Sequence, residues 1–186
     1  MKITKTLYAP TRKAWREWLK QHYRTEKEIW LVYYRKQSGK PRIAYNDAVE
    51  EALCFGWIDS TVKNLDVERI VHKFSPRKPK SEYSQTNKER LQWLIARHKV
   101  VKDVLAILGD ISAKAFEIPA DILRDLQANE QAWQNFQHYS GSYQRIRVAF
   151  VDGARKRPAE FQKRLKHLVR MTEQNKQFGY GIDKYF

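Results

Sequence analysis

From Thr11 onward apolar side chains return every three or four positions. Ala14, Trp15, Trp18, Leu19 and Tyr23 line one face, and Thr11 is placed to cap the helix they predict. The period then changes. Glu28 to Arg35 reads E-I-W-L-V-Y-Y-R, aromatic and β-branched, which predicts a strand, and Gln37-Ser38-Gly39-Lys40-Pro41 predicts a turn. Asn46 predicts the cap of a second helix, with Asp47, Glu50 and Glu51 near its positive end and Gly56 as its stop. Trp57 to Val62 and Arg69 to Phe74 predict two strands joined by a hairpin at Lys63-Asn64-Leu65-Asp66.

Ser75 to Ser81, S-P-R-K-P-K-S, holds two prolines and three cations, which excludes regular structure there. Thr86-Asn87-Lys88-Glu89 fits a capping box, and Leu91, Leu94, Ile95 and His98 continue one face of the helix behind it. Val101, Val104, Leu105 and Leu108 either extend that helix across 86–108 or begin another after a break near Lys99. From Pro119 the pattern is helical throughout. Short helices run through Leu123 and Leu126 and through Trp133 and Phe136, Ser142 caps a third, and Pro158 opens a last one with the stripe Phe161, Leu165, Leu168 and Val169. Lys163, Lys166 and Arg170 lie opposite that stripe. The expected fold class is α+β: a small antiparallel sheet with covering helices in residues 1–112, followed by a C-terminal helical module in residues 113–186.

With 186 residues, 42% of them apolar and 13% aromatic, the chain can bury a sizeable core and is too hydrophobic to be disordered. Its net charge is +15, unevenly spread: residues 103–140 carry two basic and six acidic side chains, while the rest is basic. Those acids are expected to pair with basic parts of the same chain. The basic excess favours an anionic partner, either a small anion or an anionic cell component; nucleic acid fits the charge but no DNA or RNA motif is present. No run approaches the ~18 apolar residues of a membrane span and no apolar leader opens the chain, so a cytoplasmic protein without a transmembrane segment is expected.

Candidate chemistry is sparse. Cys54 is the one cysteine and sits among Leu53 and Phe55, the setting of a buried structural thiol. The five histidines show no metal-ligand spacing, and there is no glycine-rich phosphate loop. Glu50 and Glu51 are neighbours on a helix and point in different directions, against an acid–base pair. No catalytic set emerges and no cofactor is expected. What remains is the basic loop. Arg77, Lys78, Lys80 and Ser81, followed by a helix start near Ser84 and Asn87, combine cations with free N–H groups, and such a combination binds anions. In the run A-L-C-F-G-W-I-D-S, residues 52–60, Asp59 shares a strand face with Trp57 at period two. An acid on such a face requires a cation, so Trp57, Asp59 and Ser60 are read as supporting the loop, with Asp59 orienting Arg77 or Lys78.

These stretches together resemble the YdeI/OmpD-associated family, also called bacteriocin-protection proteins. The resemblance is carried by Trp15, Trp18 and Leu19, by Ile29-Trp30-Leu31, by the run from Glu51 to Ser60, by F-S-P-R-K-P-K-S from Phe74 to Ser81, and by Ser84 and Asn87. A looser likeness to the family's helical module runs through Pro119-Ala120-Asp121-Ile122-Leu123, Phe136 and Ala154 with the basic helix after it, and Tyr83 stands where the family usually has Trp. The resemblance implies a link to bacteriocin or antimicrobial-peptide stress with no reaction established for the family, and the expected function is a non-enzymatic binding protein, the alternatives being a nucleic-acid binder and an enzyme acting on a small phosphorylated or carboxylated substrate at the basic loop.

The scattered histidines and single thiol generate one expectation that elemental analysis checks: purified protein carries no stoichiometric zinc or iron. One equivalent of either metal would overturn it.

Overall fold

The computed structural model describes residues 2–78, 81–108, 111 and 116–179. The chain divides into two compact units, Met1–Glu82 with Arg90–Ile111, and Tyr83–Glu89 with Ser112–Phe186.

The first unit is built on a four-stranded sheet in the order β1-β2-β4-β3, formed by β1 (Thr6–Leu7), β2 (Ile29–Tyr34), β3 (Trp57–Asn64) and β4 (Arg69–Pro76). β2 pairs antiparallel with β4 and β4 with β3, the latter two joined by the expected hairpin. The short β1 lies parallel to β2, an edge strand too brief for periodicity to reveal. Side chains at period two divide the sheet. Trp30, Val32 and Val71 form the core of one face with Ile3, Tyr34 and Leu65 against them. Helices α1 (Arg12–His22) and α2 (Tyr45–Cys54) cover the other. There Trp15 meets Phe74 with ring centroids 5.3 Å apart, and Trp18 meets Trp57 edge-on at 5.8 Å. The Trp15 indole N–H donates to Ala48 O and that of Trp57 to Tyr23 O, both at 3.0 Å, so neither buried ring strands a donor.

Thr11 caps α1 as expected, accepting from Ala14 N at 3.1 Å. Gly56 ends α2 with φ 71°, a backbone that favours glycine, and a Cβ there would crowd Val104 Cγ2 at 3.2 Å. The start of α2 differs from expectation. The capping residue is Ala44, and the amide of Asn46 instead accepts from Arg90 Nη2 at 2.6 Å. The region 86–108 is two helices, α3 (Gln85–Ile95) and α4 (Lys102–Ile107), broken at His98 with φ 53°. Val101 N donates to Cys54 O at 3.1 Å, tying the break to the end of α2.

Glu50 and Glu51, at 0% and 2% exposure, do not diverge as adjacency on a helix suggests. Arg12 reaches both: its Nε donates to Glu51 and its Nη1 to Glu50 at 2.8 Å and to Asp47 at 2.9 Å. Arg16 Nη1 takes the second oxygen of Glu51, and its Nη2 donates to Lys99 O at 2.9 Å. Burial would lower the Arg12 pKa, but the hydrogen bond and charge of Glu51, with those of Glu50, outweigh it and raise it.

The second unit is helical, with α5 (Ala120–Gln127), α6 (Glu130–His138), α7 (Gly141–Asp152) and α8 (Pro158–Glu173) around a core of Ile122, Leu126, Phe136, Tyr143, Leu165 and Leu168. Pro158 occupies the first turn of α8 as expected. Two caps fall two residues earlier than their local signals. Ser140 rather than Ser142 caps α7, accepting from Tyr143 N at 3.2 Å, and Ser84 rather than Thr86 opens α3, accepting from Asn87 N at 3.3 Å. Ser142 instead donates to Glu89, whose buried carboxylate also holds Arg145 Nε at 2.6 Å. Asp121, from the acidic segment, takes a forked pair of hydrogen bonds from Arg155, both at 2.8 Å. No described helix is long and apolar enough to cross a membrane.

Replacing Glu51 leaves Arg12 and Arg16 without their shared carboxylate. Glu51→Gln is expected to lose about 3 kcal/mol of unfolding free energy in urea, the low end for a broken buried pair because both arginines retain solvent. Glu17→Ala, on the exposed side of α1, stays within about 0.5 kcal/mol of the parent.

Candidate functional site

Asp59 lies on β3 opposite Phe74 of β4, and the next pair in the ladder is Val62 with His72. Three steps on one strand face two on the other, a bulge at Ser60 and Thr61 that holds Asp59 on the helix-covered face together with Trp57. That face is apolar under α1 and turns polar toward the first residue of α2. The Tyr45 hydroxyl donates to Asp59 Oδ2 at 2.6 Å. The Tyr45 ring centroid lies 5.5 Å from that of His72, which lies 4.6 Å from that of Tyr33. The Tyr33 hydroxyl and His72 Nδ1 are buried without a hydrogen-bond partner. Tyr33 is 4% exposed and Tyr45, at the rim, 38%.

Burial, followed by the neighbouring Tyr45 and Asp59, raises the pKa of Tyr33 against the opposing charge of Arg42. Burial, the hydrogen bond to Asp59 and its charge raise that of Tyr45 against the opposing charge of Arg90. Burial pushes the His72 imidazole below its ordinary value against the opposing pull of Asp59. The cluster therefore presents one carboxylate, a neutral imidazole and two neutral phenols. It was half visible in the sequence. Asp59 stood out, whereas His72 and Tyr33 sat inside strands read only as aromatic and β-branched; the signal for them is a polar tip at the same strand parity as Phe74 and Leu31.

The basic loop is closed on itself. Arg77 N donates to Gly56 O at 2.9 Å, and Arg77 Nη2 donates to Ser81 O at 2.8 Å, Ser81 Oγ at 3.0 Å and Glu82 O at 3.0 Å. Ser81 Oγ donates to Lys78 O at 2.8 Å. Lys78 and Ser81 are exposed, and Lys80 lies outside the described residues. Among the described residues Asp59 is engaged by Tyr45, the cation expected beside it being replaced by a hydroxyl. Trp57 is wholly buried against Trp18, and Ser60 is exposed at the bulge. Ser84 and Asn87 belong to the second unit, where the Ser84 hydroxyl accepts from Asn87 N.

Two further features bear on chemistry. Cys54 has its thiol pKa pushed by burial, and then by Glu51, up to about 11, which leaves it protonated and inert at neutral pH. No group of three or more His, Cys, Asp or Glu among the described residues can hold a metal ion.

Residues 7–107 match the model of a family described as a domain of unknown function, DUF8412. Residues 115–175 match the family described as bacteriocin-protection, YdeI or OmpD-associated. The resemblance drawn from the sequence thus rests on the C-terminal helices, while the stretch that carried most of its quoted residues has a family model of its own. No curated protein and no solved structure matches the chain.

His72, faced by Asp59 from β3, Tyr33 from β2 and Tyr45 from α2, gives a pH dependence of defined sign. Its folded pKa is depressed, so below about pH 6.5 the unfolded chain binds the proton first and stability falls with pH until the folded pKa is passed. Urea unfolding between about pH 5 and 8 is expected to show that loss in the parent and a flatter profile in His72→Phe.

Proposed function

We propose that this chain, which belongs to the DUF8412 family and carries at residues 115–175 a bacteriocin-protection, YdeI or OmpD-associated domain, is a non-enzymatic binding protein whose basic surface holds an anionic cell component. On this reading residues 1–112 and 113–186 are two domains, with the two family matches falling on either side of their junction.

One observation supports it above the rest. Much of the excess of positive charge is carried by side chains outside any ion pair: Lys78, Lys156, Arg157, Lys163 and Lys166 are exposed and enter no ion pair among the described residues, and Glu160, the acid that feels the charge of Lys163 and Arg157, is already bound to Arg164. The acids are in large part consumed internally, as Glu50 and Glu51 are by Arg12 and Arg16, Glu89 by Arg145, and Asp121 and Asp152 by Arg155. In the loop, the hydrogen bonds from Arg77 Nη2 fix the plane of the guanidinium, so its geometry is set before an anion arrives. Lys78 adds charge beside it. A second reading makes the anion a nucleic acid, favoured by the spacing of Lys163, Lys166 and Arg170 along one side of α8.

Salt dependence separates the two. A small anionic group held by about three contacts loses about 40-fold in affinity between 50 and 200 mM salt, whereas a nucleic-acid footprint of six to ten contacts loses ~10³–10⁵-fold. Arg77→Ala is expected to weaken saturable binding of inorganic triphosphate, followed by calorimetry, at least about tenfold with little change in unfolding midpoint. Unchanged affinity in that variant would reduce the loop to a structural brace.

A further inference from the structure

We propose that Tyr33, Tyr45, Asp59 and His72 form a binding site for a small primary ammonium group, separate from the basic surface. Two buried polar atoms of this cluster have no hydrogen-bond partner. Tyr33 Oη and His72 Nδ1 lie within one run of touching rings, and a buried polar atom without a partner is destabilising unless something meets it in use. Both sit on the same sheet face as Asp59, the residue the bulge holds toward α2.

The chemistry of the four groups selects the ligand. Asp59 accepts only. A neutral His72 protonated on its other nitrogen accepts at Nδ1, and the Tyr33 hydroxyl accepts as readily as it donates. A primary ammonium presents three N–H donors and one positive charge, matching three acceptors of which one is anionic. The rings of Tyr33, Tyr45 and His72 add electron-rich faces that attract a cation and give nothing to an anion. A phosphate or carboxylate would meet Asp59 instead. The same cluster that repels the ligand of the basic loop suits one of opposite charge.

Entry follows from Tyr45. It is the first residue of α2 and the most exposed of the four, Asp59 and His72 being half-buried and Tyr33 buried, and its hydroxyl closes over Asp59 Oδ2. Turning that side chain outward breaks one hydrogen bond, leaves the helix ladder intact and frees Asp59 Oδ2 for another donor. The bound ammonium then replaces the tyrosine hydroxyl as the donor to Asp59.

The test uses n-butylamine as the probe, with n-butanol and butyrate as neutral and anionic controls, in 150 mM salt at pH 7.5. Two-dimensional NMR of the full chain is expected to show saturable shifts of Tyr45, Asp59 and His72 with a Kd of about 1–10 mM, what five heavy atoms sustain. Asp59→Asn is expected to lose at least tenfold in affinity. Tyr33→Phe is expected to lose severalfold while its thermal midpoint holds or rises, because the variant removes only an unsatisfied buried hydroxyl. That variant keeps the test valid should Asp59→Asn fold poorly. Arg77→Ala is expected to bind butylamine as the parent does, so failure of the anion loop leaves this result untouched. Shifts that never saturate, equal shifts from butanol or butyrate, or parental affinity in Tyr33→Phe would overturn the site.

Discussion

Two carboxylates with almost no access to water have to be met by cations, and the first unit is arranged around that requirement. Glu50 and Glu51 sit on α2 and their partners, Arg12 and Arg16, one turn apart on α1. Desolvated charges tolerate little displacement, since losing a hydrogen bond leaves an uncompensated ion. The crossing of α1 and α2 is thereby held in register. That register sets Trp15 and Trp18 over Phe74 and Trp57, and it fixes where α2 begins, which delivers Tyr45 to Asp59. An apolar contact of the same area would hold the helices together without specifying their rotation as tightly.

The polar cluster at the other end of α2 is held by weaker means. Its members come from three strands and a helix start, and one extra residue in β3 aims Asp59 inward. Nothing in it is fully paired: a hydroxyl meets a carboxylate at the rim while an imidazole nitrogen and a second hydroxyl stay unsatisfied below. The basic loop shows the opposite economy, with Arg77 turned back on its own carbonyl groups. One chain thus holds an underpaired polar cluster on its sheet and a self-paired basic loop beside it.

Local signals in the sequence read well where the residue that makes an element also stays in it. Thr11 caps the helix it precedes and Gly56 stops the one it follows, and a hairpin joins the two strands as read, although Lys63 and Asn64 belong to β3 rather than to the turn. They misread where a polar side chain is drawn away by a distant partner. Asn46 and Ser142 both have the composition of caps, yet Asn46 serves Arg90 and Ser142 serves Glu89, and the residues two positions upstream cap the helices. The convergence of Glu50 and Glu51 on Arg12 was hidden for the same reason, because a long guanidinium can reach around a helix face that adjacency divides. Of the candidate site, the loop and Asp59 were legible as charges out of place. Its tyrosines and histidine were not, since strands read as hydrophobic conceal which of their members carry a polar tip.

The parallel pairing of Thr6 and Leu7 with Trp30 and Leu31 covers one edge of β2, a strand whose every residue from Ile29 to Tyr33 is buried. An uncovered edge of that composition is a template for pairing with another chain. The opposite edge, β3, carries its own deterrents in a bulge, Lys63 and Asn64. The shortest strand in the sheet therefore acts as its guard against self-association, a duty out of proportion to the two residues that perform it.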